Sequence, residues 1–301
     1  MTSRLWHPRY WPTWLGLGAM RFFAPLPYPL QRVLGIALGT LVYWLPSPFK
    51  RVARRNVELC LPELNATDRN RIVRAHFQSL GIGLFETASS WWRGAPRVLA
   101  ITRITGWEHL EQALTRGRGA ILLSAHFTTL EIGAAALCYR TPTNIMYRPT
   151  SNAVLERFLA RHRGRNAKRA IPRDDIRTLV SALKNNEIVW YAPDQAYRKK
   201  GARMVPFFGI PAATNTATSR LARMTGAAVL PYFPERLPGT AGYCMHILPA
   251  LDDFPSDDPA ADALRFNHLI EAHVRRVPEQ YLWIHKRFKG LSADYPDYYK
   301  R

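Results

Sequence analysis

Residues 121–131 read Ile-Leu-Leu-Ser-Ala-His-Phe-Thr-Thr-Leu-Glu, an apolar segment that stops at His126 and reaches Glu131 five positions later. The apolar residues predict a buried β-strand, and the Thr-x-x-Glu pattern from Thr128 is a capping box, which predicts the start of a helix. His126 would then lie outside the helix, where Glu131 could hold the imidazole in one tautomer for removing a proton from a hydroxyl. A capped helix beside a buried structural histidine explains these residues equally well.

Strands and helices alternate along the chain from about residue 103 onward. The predicted strands are 120–125, 144–147, 187–192, 227–233 and 243–248. The predicted helices are 50–93, a helix from 128 onward, 151–162, 174–184, 214–225 and 259–277. This alternation predicts an α/β fold with a mixed, mostly parallel central sheet flanked by helices. Sites in such sheets form beyond the carboxyl ends of the strands, where His126, Arg148 and Asp194 fall.

Cysteine and glycine patterns disfavour two classes of bound group. The three cysteines, Cys60, Cys138 and Cys244, lie far apart, and no Cys/His cluster has the spacing of a zinc site. The chain also has no Walker loop and no Gly-x-Gly-x-x-Gly fingerprint, which disfavours nucleotide binding. We therefore expect neither a metal nor a cofactor.

The formal net charge is +20, and arginine supplies most of the cations, with 34 Arg against 8 Lys. Because guanidinium groups bind phosphate and carboxylate with paired hydrogen bonds, this excess indicates an anionic partner: nucleic acid, anionic lipid or an acidic carrier protein. Many potential cations fall within 157–173: Arg157, Arg161, His162, Arg163, Arg165, Lys168, Arg169 and Arg173. A solvated helix face accounts for part of this set. Arg163 and Arg165, with Arg148 as a weaker candidate, are predicted to bind a phosphorylated headgroup.

Residues 1–48 include the most hydrophobic part of the chain, with an uncharged run over 33–45. A helix of that length measures only about 20 Å, less than the roughly 30 Å hydrocarbon core of a bilayer, and several prolines precede it. We predict a kinked membrane anchor over 1–48, spanning or dipping into the bilayer, and a catalytic domain over 49–301. Basic residues directly after the run predict that the domain faces the cytoplasm. A buried helix pair of the globular domain is the alternative, whereas an anchor argues against nucleic acid as the partner.

The segment 197–209, YRKKGARMVPFFG, combines basic and aromatic residues. It predicts a mobile loop that could cover an acyl chain at a membrane surface. An ordinary surface loop explains its composition equally well.

Seven ordered blocks together resemble the bacterial lipid A late (secondary) acyltransferases, a family within the lysophospholipid acyltransferase superfamily. The blocks are His126-x4-Glu131, Tyr147-Arg148-Pro149, Arg163-x-Arg165, Arg173-Asp174-Asp175, Glu187-Ile-Val-Trp-Tyr-Ala-Pro-Asp194-Gln195, Val205-Pro-Phe-Phe-Gly209 and Pro278-Glu-Gln-Tyr-Leu-Trp-Ile-His-Lys-Arg-Phe-Lys289. They extend along nearly the whole chain. Glutamate at position 131 is usual in the lipid A branch, whereas many other members of the superfamily have aspartate.

The resemblance implies an inner-membrane enzyme that moves a fatty acyl group from acyl carrier protein to a hydroxyl of a phosphorylated lipid A precursor. His126 and Glu131 would be catalytic, and Arg163 and Asp194 match positions regarded as functional. Under this hypothesis Glu131 orients the ring of His126, amides near Thr128 receive the oxyanion, and Asp194 orients an arginine or a sugar hydroxyl.

Two alternatives stay open at this point. The enzyme could acylate another glycolipid or a lysophospholipid, or the chain could be a non-catalytic, basic lipid-binding protein at the membrane surface. Neither the acyl chain length nor the acylated hydroxyl follows from the sequence.

Overall fold

The computed structural model describes residues 3–300. The α-helices are α1 (Trp11–Phe23), α2 (Tyr28–Trp44), α3 (Pro48–Cys60), α4 (Ala66–Trp92), α5 (Ala95–Leu99), α6 (Trp107–Thr115), α7 (Leu130–Arg140), α8 (Ala153–Asn166), α9 (Ile176–Lys184), α10 (Ala217–Thr225) and α11 (Pro259–Arg276). The strands are β1 (Thr102–Thr105), β2 (Ala120–Leu123), β3 (Thr143–Tyr147), β4 (Arg169–Pro172), β5 (Ile188–Tyr191), β6 (Ala202–Phe207), β7 (Ile210–Asn215), β8 (Ala228–Arg236) and β9 (Tyr243–Ile247). Short 3-10 turns cover Ser3–Trp6, Pro8–Tyr10 and Pro278–Gln280.

The central sheet has the strand order β1-β9-β8-β2-β5-β3-β4. β8 and β9 pair antiparallel, and the other neighbours pair in parallel. The predicted mixed, mostly parallel sheet is therefore confirmed, and its five predicted strands correspond to β2, β3, β5, β8 and β9. The sequence did not reveal β1 and β4, because these edge strands are short and partly exposed and lack an apolar run.

The central strand β2 is buried on both faces, as parallel strands covered by helices usually are. Ile121 and Leu123 belong to a core shared with helices α9, α10 and α11. Ala120 and Leu122 belong to a second core shared with α6 and α7. Successive residues of β2 thus point to opposite faces of the sheet. The site lies at the carboxyl end of β2, where the chain leaves the sheet.

The two hydrophobic N-terminal helices pack against the rest of the fold. α2 runs along α4 with the backbones in contact, since a Cβ atom added at Gly39 would lie 2.1 Å from the carbonyl oxygen of Phe77. Likewise, a Cβ atom at Gly81 would lie 2.1 Å from the carbonyl oxygen of Gly35. Small residues at these positions permit the close approach.

A spanning anchor over 1–48 is not confirmed. Within the described residues 3–300, every helix is too short or too polar to cross a membrane. The outward side of the first two helices nevertheless exposes large apolar side chains to solvent: Trp11, Leu15, Phe22, Val33, Leu41 and Trp44. The division at residues 48 and 49 remains a prediction.

Part of the segment 197–209 is a strand, contrary to the prediction of a mobile loop. Residues 202–207 form β6, which pairs antiparallel with β7 in a separate two-stranded hairpin. Val205 and Phe207 are buried in the core, and Asn267 on α11 donates a hydrogen bond to the carbonyl of Pro206 at 2.7 Å. The aromatic part of the segment therefore packs inward, while its basic part stays exposed.

Candidate active site

The residues that directly follow β2 continue in an extended conformation and place His126 at the carboxyl edge of the sheet. The backbone carbonyl of His126 accepts a hydrogen bond from Leu282 N–H at 2.9 Å, and Thr128 N–H donates to Gln280 O at 2.7 Å. Phe127 and Tyr281 form the antiparallel bridge between these hydrogen bonds. The segment that follows α11 thus holds residues 126–128 through hydrogen bonds on both sides of Phe127.

The predicted capping box at Thr128 is wrong. α7 begins at Leu130, and its N-cap residue Thr129 makes no side-chain capping bond. The hydroxyl of Thr128 instead lies 2.7 Å from the hydroxyl of Ser79 on α4. Because Thr128 N–H donates to Gln280, this amide is not available as the oxyanion donor expected from the sequence.

The partner of the His126 ring is Asp194. Nδ1 lies 2.6 Å from Asp194 Oδ1, and the backbone N–H of His126 donates to Oδ2 at 3.0 Å. The hydroxyl of Tyr281 donates to the same Oδ2 at 3.2 Å. With Nδ1 donating to the carboxylate, Nε2 is the ring nitrogen left for a substrate. Asp194 is buried, whereas 27% of the His126 side chain is exposed.

Burial raises the pKa of Asp194, but the charge and hydrogen bonds of His126 outweigh it and lower the pKa below the ordinary value. The guanidinium of Arg287 also lowers it. Asp194 therefore carries its negative charge at neutral pH and accepts the hydrogen bonds of His126 as a carboxylate.

Glu131 does not hold the ring of His126, contrary to the expectation from the spacing. Its Oε1 accepts a hydrogen bond from Arg163 Nη2 at 2.5 Å, and Oε2 accepts one from Trp91 Nε1 at 3.4 Å. The expected roles of the two carboxylates are exchanged, because Asp194 orients the histidine and Glu131 orients an arginine.

A cavity of about 570 Å³ opens beside this histidine, a volume typical of small-molecule sites. His126, Glu131 and Arg163 all line it, so the sequence-predicted acid and base share one cavity without contacting each other through a hydrogen bond. Its wall also includes apolar side chains from α7, β3 and β5: Leu130, Ala134, Ala135, Cys138, Ile145 and Trp190. A polar site thus adjoins an apolar surface.

The structure places the three predicted phosphate-binding arginines differently. Arg148 and Arg163 line the cavity, and the Arg163 guanidinium lies 5.6 Å from the centre of the Tyr147 ring. Arg165 is exposed on α8 and is not part of the cavity wall. Its role in binding the headgroup stays a prediction.

Two residues of the last sequence block belong to the site, although sequence reasoning assigned them no role. Nε2 of His285 accepts a hydrogen bond from Ala196 N–H at 3.1 Å, and burial lowers the pKa of this histidine to about 4. His285 is therefore neutral at neutral pH. The buried guanidinium of Arg287 donates to Ala213 O at 2.9 Å and to Thr214 Oγ1 at 2.8 Å. The signal was the density of polar residues in an otherwise aromatic block.

The described residues 3–300 contain no group of three or more His, Cys, Asp or Glu side chains placed to hold a metal ion. The free cysteines Cys60, Cys138 and Cys244 are all buried.

The sequence model described as bacterial lipid A biosynthesis acyltransferase matches residues 1–290 of this chain. The chain belongs to that family. It is 38% identical over 299 residues to the lipid A biosynthesis lauroyltransferase of Escherichia coli K12, and the alignment covers 99% of this chain and 98% of that relative. The lipid A biosynthesis palmitoleoyltransferase of E. coli K12 is also 38% identical, covering 94% of this chain and 92% of the relative. The lipid A biosynthesis myristoyltransferase of that strain is 28% identical, covering 98% and 92%.

The resemblance inferred from the sequence blocks is therefore confirmed, and the protein is an acyltransferase of lipid A biosynthesis. The family implies a lipid A precursor as the acyl acceptor. These three relatives are named for different fatty acids, and the lauroyltransferase and the palmitoleoyltransferase differ although both are 38% identical to this chain. Overall similarity thus leaves the acyl chain of this acyltransferase open.

Replacing Asp194 by asparagine should lower the turnover of the acyltransferase at least about tenfold, because a neutral amide neither fixes the Nδ1–H tautomer nor stabilises an imidazolium. Initial rates at saturating substrate measure the effect. The matched control is Asp257→Asn, whose aspartate is fully exposed and pairs with Arg223. Equal turnover in the two variants would contradict the assignment of Asp194 as the partner of the ring.

Proposed function

We propose that this acyltransferase moves a fatty acyl group from acyl carrier protein to a hydroxyl of a phosphorylated lipid A precursor at the cytoplasmic face of the inner membrane. The observation that carries the proposal is the His126–Asp194 pair beside a cavity that combines cations with an apolar wall. A hydroxyl acceptor needs a base, its phosphate needs a cation, and a fatty acyl chain needs an apolar surface. One cavity offers all three.

In the proposed mechanism, Nε2 of His126 takes the proton of the acceptor hydroxyl while the oxygen attacks the carbonyl carbon of the thioester. Asp194 stabilises the imidazolium that forms. The tetrahedral intermediate then collapses, the carbon–sulfur bond breaks, and His126 returns the proton to the leaving thiolate. The products are an ester and the free thiol of the carrier, and His126 is restored.

Glu131 has a different task in this mechanism from the one that its spacing suggested. Its carboxylate fixes the Arg163 guanidinium on the cavity wall, where the remaining N–H groups can bind an anionic oxygen of the acceptor or of the intermediate. Arg148 lines the same cavity and is assigned to the headgroup as well. We expect no cofactor.

The apolar part of the cavity is assigned to the acyl chain. Leu130, Ala134, Ala135 and Cys138 project into it from one side of α7, and Trp190 lines it from β5. Because His126 lines the same cavity, an acyl chain bound along these apolar side chains would place its carbonyl carbon near the histidine.

The proposed membrane contact uses the exposed apolar side chains of α1 and α2. Leu15 and Phe22 are each 75% exposed, and Trp44 is 67% exposed. α1 and α2 carry basic residues and no acidic ones, so an anionic lipid surface would attract them.

The test incubates the purified full-length chain with acyl-acyl carrier protein and lipid A precursor, followed by mass spectrometry of the lipid and titration of free thiol. The proposal expects one acyl ester per released thiol. Acylation of a lysophospholipid in preference to the precursor would contradict the acceptor, and lipid binding without any thiol release would contradict catalysis with this donor. The same measurement on lipid A from cells with and without the gene identifies the acyl chain.

A further inference from the structure

A second cleft, whose charged lining residues are all cations, lies next to the site cavity. It has a volume of about 520 Å³ and is lined by Lys200, Gly201, Arg203 and Arg220. Arg220 on α10 also lines the site cavity, as does Lys199, so the cleft and the cavity adjoin each other. Anything bound in the cleft is therefore within reach of the chamber that contains His126.

The cations of this cleft differ from Arg163 and Arg173, two other cations on the cavity wall, in having no carboxylate partner. Arg163 pairs with Glu131, and Arg173 lies 3.8 Å from a carboxylate oxygen of Asp174. Within residues 3–300, by contrast, no carboxylate lies within ion-pairing distance of any of five cations in and beside the cleft: Arg198, Lys199, Lys200, Arg203 and Arg220. All five side chains are exposed. Mutual repulsion makes such a group unfavourable unless an anionic partner neutralises it.

The cavity wall next to the first helix and the cavity wall next to the cleft are built by different elements. The first wall is α8, which packs on α1: Asn152 donates to Thr13 Oγ1 at 2.8 Å, and Val154 shares a small core with Leu17. The second wall comprises the β6–β7 hairpin and α10, and Leu221 of α10 belongs to the core on the opposite face of the sheet from α7. A lipid and a soluble donor could thus approach His126 from different sides.

From these contacts we infer that the cleft of Lys200, Arg203 and Arg220 docks the acidic surface of the carrier protein that delivers the acyl thioester. The inference rests on the proposed function, since it assigns a binding surface to the proposed donor. Long-range attraction between opposite charges would speed the encounter and orient the thioester arm toward the cavity past Arg220. The lipid acceptor would use the other wall.

The test compares Arg203→Glu/Arg220→Glu with a control of equal charge change, Arg116→Glu/Arg118→Glu. The control arginines are exposed and directly precede β2, at the opposite edge of the sheet from the site. We expect the cleft variant to raise the KM for acyl-acyl carrier protein at least about fivefold, to leave the KM for the lipid acceptor unchanged, and to lose most of the salt dependence of the donor KM. The control should behave as wild type. If the charge reversal lowers the thermal midpoint, Arg203→Gln/Arg220→Gln replaces it.

Two outcomes would overturn the inference: a KM change for the lipid acceptor instead of the donor, or equal donor KM values in the cleft and control variants. Direct binding of fluorescent carrier protein to each variant, measured by anisotropy, separates this inference from the proposed reaction. If no protein releases thiol but the carrier binds wild type and control better than the cleft variant, the proposed reaction fails and the docking surface stands. If carrier binding is equal in all three proteins, the docking surface fails whatever the turnover.

Discussion

Replacing His126 by alanine should lower turnover at least about a hundredfold and leave the protein folded. The expected loss is large because the acceptor hydroxyl stays protonated at neutral pH unless a base removes its proton. Among the described residues, His126 alone has one ring nitrogen bonded to Asp194 and the other available in the cavity. His162 and His285 also line the cavity, but neither contacts Asp194 through a hydrogen bond. His285 is neutral, yet its Nε2 already accepts the N–H of Ala196. It is therefore not free to replace His126.

The fold should survive this substitution because backbone groups hold the segment. The N–H of residue 126 would still donate to Asp194 Oδ2, and its carbonyl would still accept from Leu282 N–H. Asp194 would also retain Tyr281 as a donor. The matched control is His268→Ala, at an exposed position on α11. A second variant, His126→Asn, keeps a polar side chain near the carboxylate and should be equally inactive.

Turnover and thermal midpoint are measured together for these variants. Wild-type-like turnover in both His126 variants would contradict the role of the histidine as base. A similar loss in the His268 control would show that the assay reports general damage to the protein instead of the missing base.

The position of His126 could be predicted from the sequence, whereas its partner could not. An apolar strand followed by a polar residue marks the carboxyl edge of a sheet whatever the order of the strands. The contact with Asp194 depends on that order, because β2 and β5 are neighbours with Leu123 opposite Tyr191. His126 and Asp194 each follow their strand by three residues and therefore meet. The local spacing of the sequence suggested Glu131 as the partner, since it is the nearest carboxylate along the chain. That spacing contains no information about which strands are adjacent.

The same limit applies to the N-terminal helices and to the basic segment of 197–209. Hydrophobicity shows that α2 avoids water, but both a bilayer and another helix satisfy that requirement. The glycines at 35, 39 and 81 allow the backbones of α2 and α4 to approach closely, but the sequence alone does not show that the two helices meet at these positions. In 197–209 the buried Phe207 belongs to a strand whose partner, β7, has no strong β-propensity of its own.

Replacing Glu86 by glutamine should lower the free energy of unfolding by about 3–5 kcal/mol, the typical cost of leaving a buried charge without its partner. Glu86 on α4 and Arg236 at the end of β8 have side chains only 3% and 4% exposed. The two groups form paired hydrogen bonds, with Arg236 Nη2 donating to Oε2 at 2.7 Å and Nε donating to Oε1. Tyr243 donates to Oε1 at 2.9 Å.

Glu86 is matched to its arginine electrostatically as well as geometrically. Burial alone would lower the pKa of Arg236, but the charge of Glu86 raises it above the ordinary value. Arg236 thus stays charged inside the fold, and the glutamine variant would bury that cation beside a neutral amide. Urea unfolding measures the loss. The control is Glu63→Gln, which breaks a half-exposed pair with Arg275 and should cost less than about 1 kcal/mol.

A double variant, Glu86→Leu/Arg236→Met, separates the charge from the packing around it. Removing both charges should recover at least half of the lost free energy of unfolding, because no unpaired ion remains. Turnover should nevertheless stay below wild type. Arg236 Nη1 donates to Ser79 Oγ at 2.6 Å, and Ser79 in turn contacts the hydroxyl of Thr128, two residues from His126. Full recovery of turnover with stability would show that the pair serves the fold alone, whereas recovery of neither would show that the loss arises from packing and not from the charge.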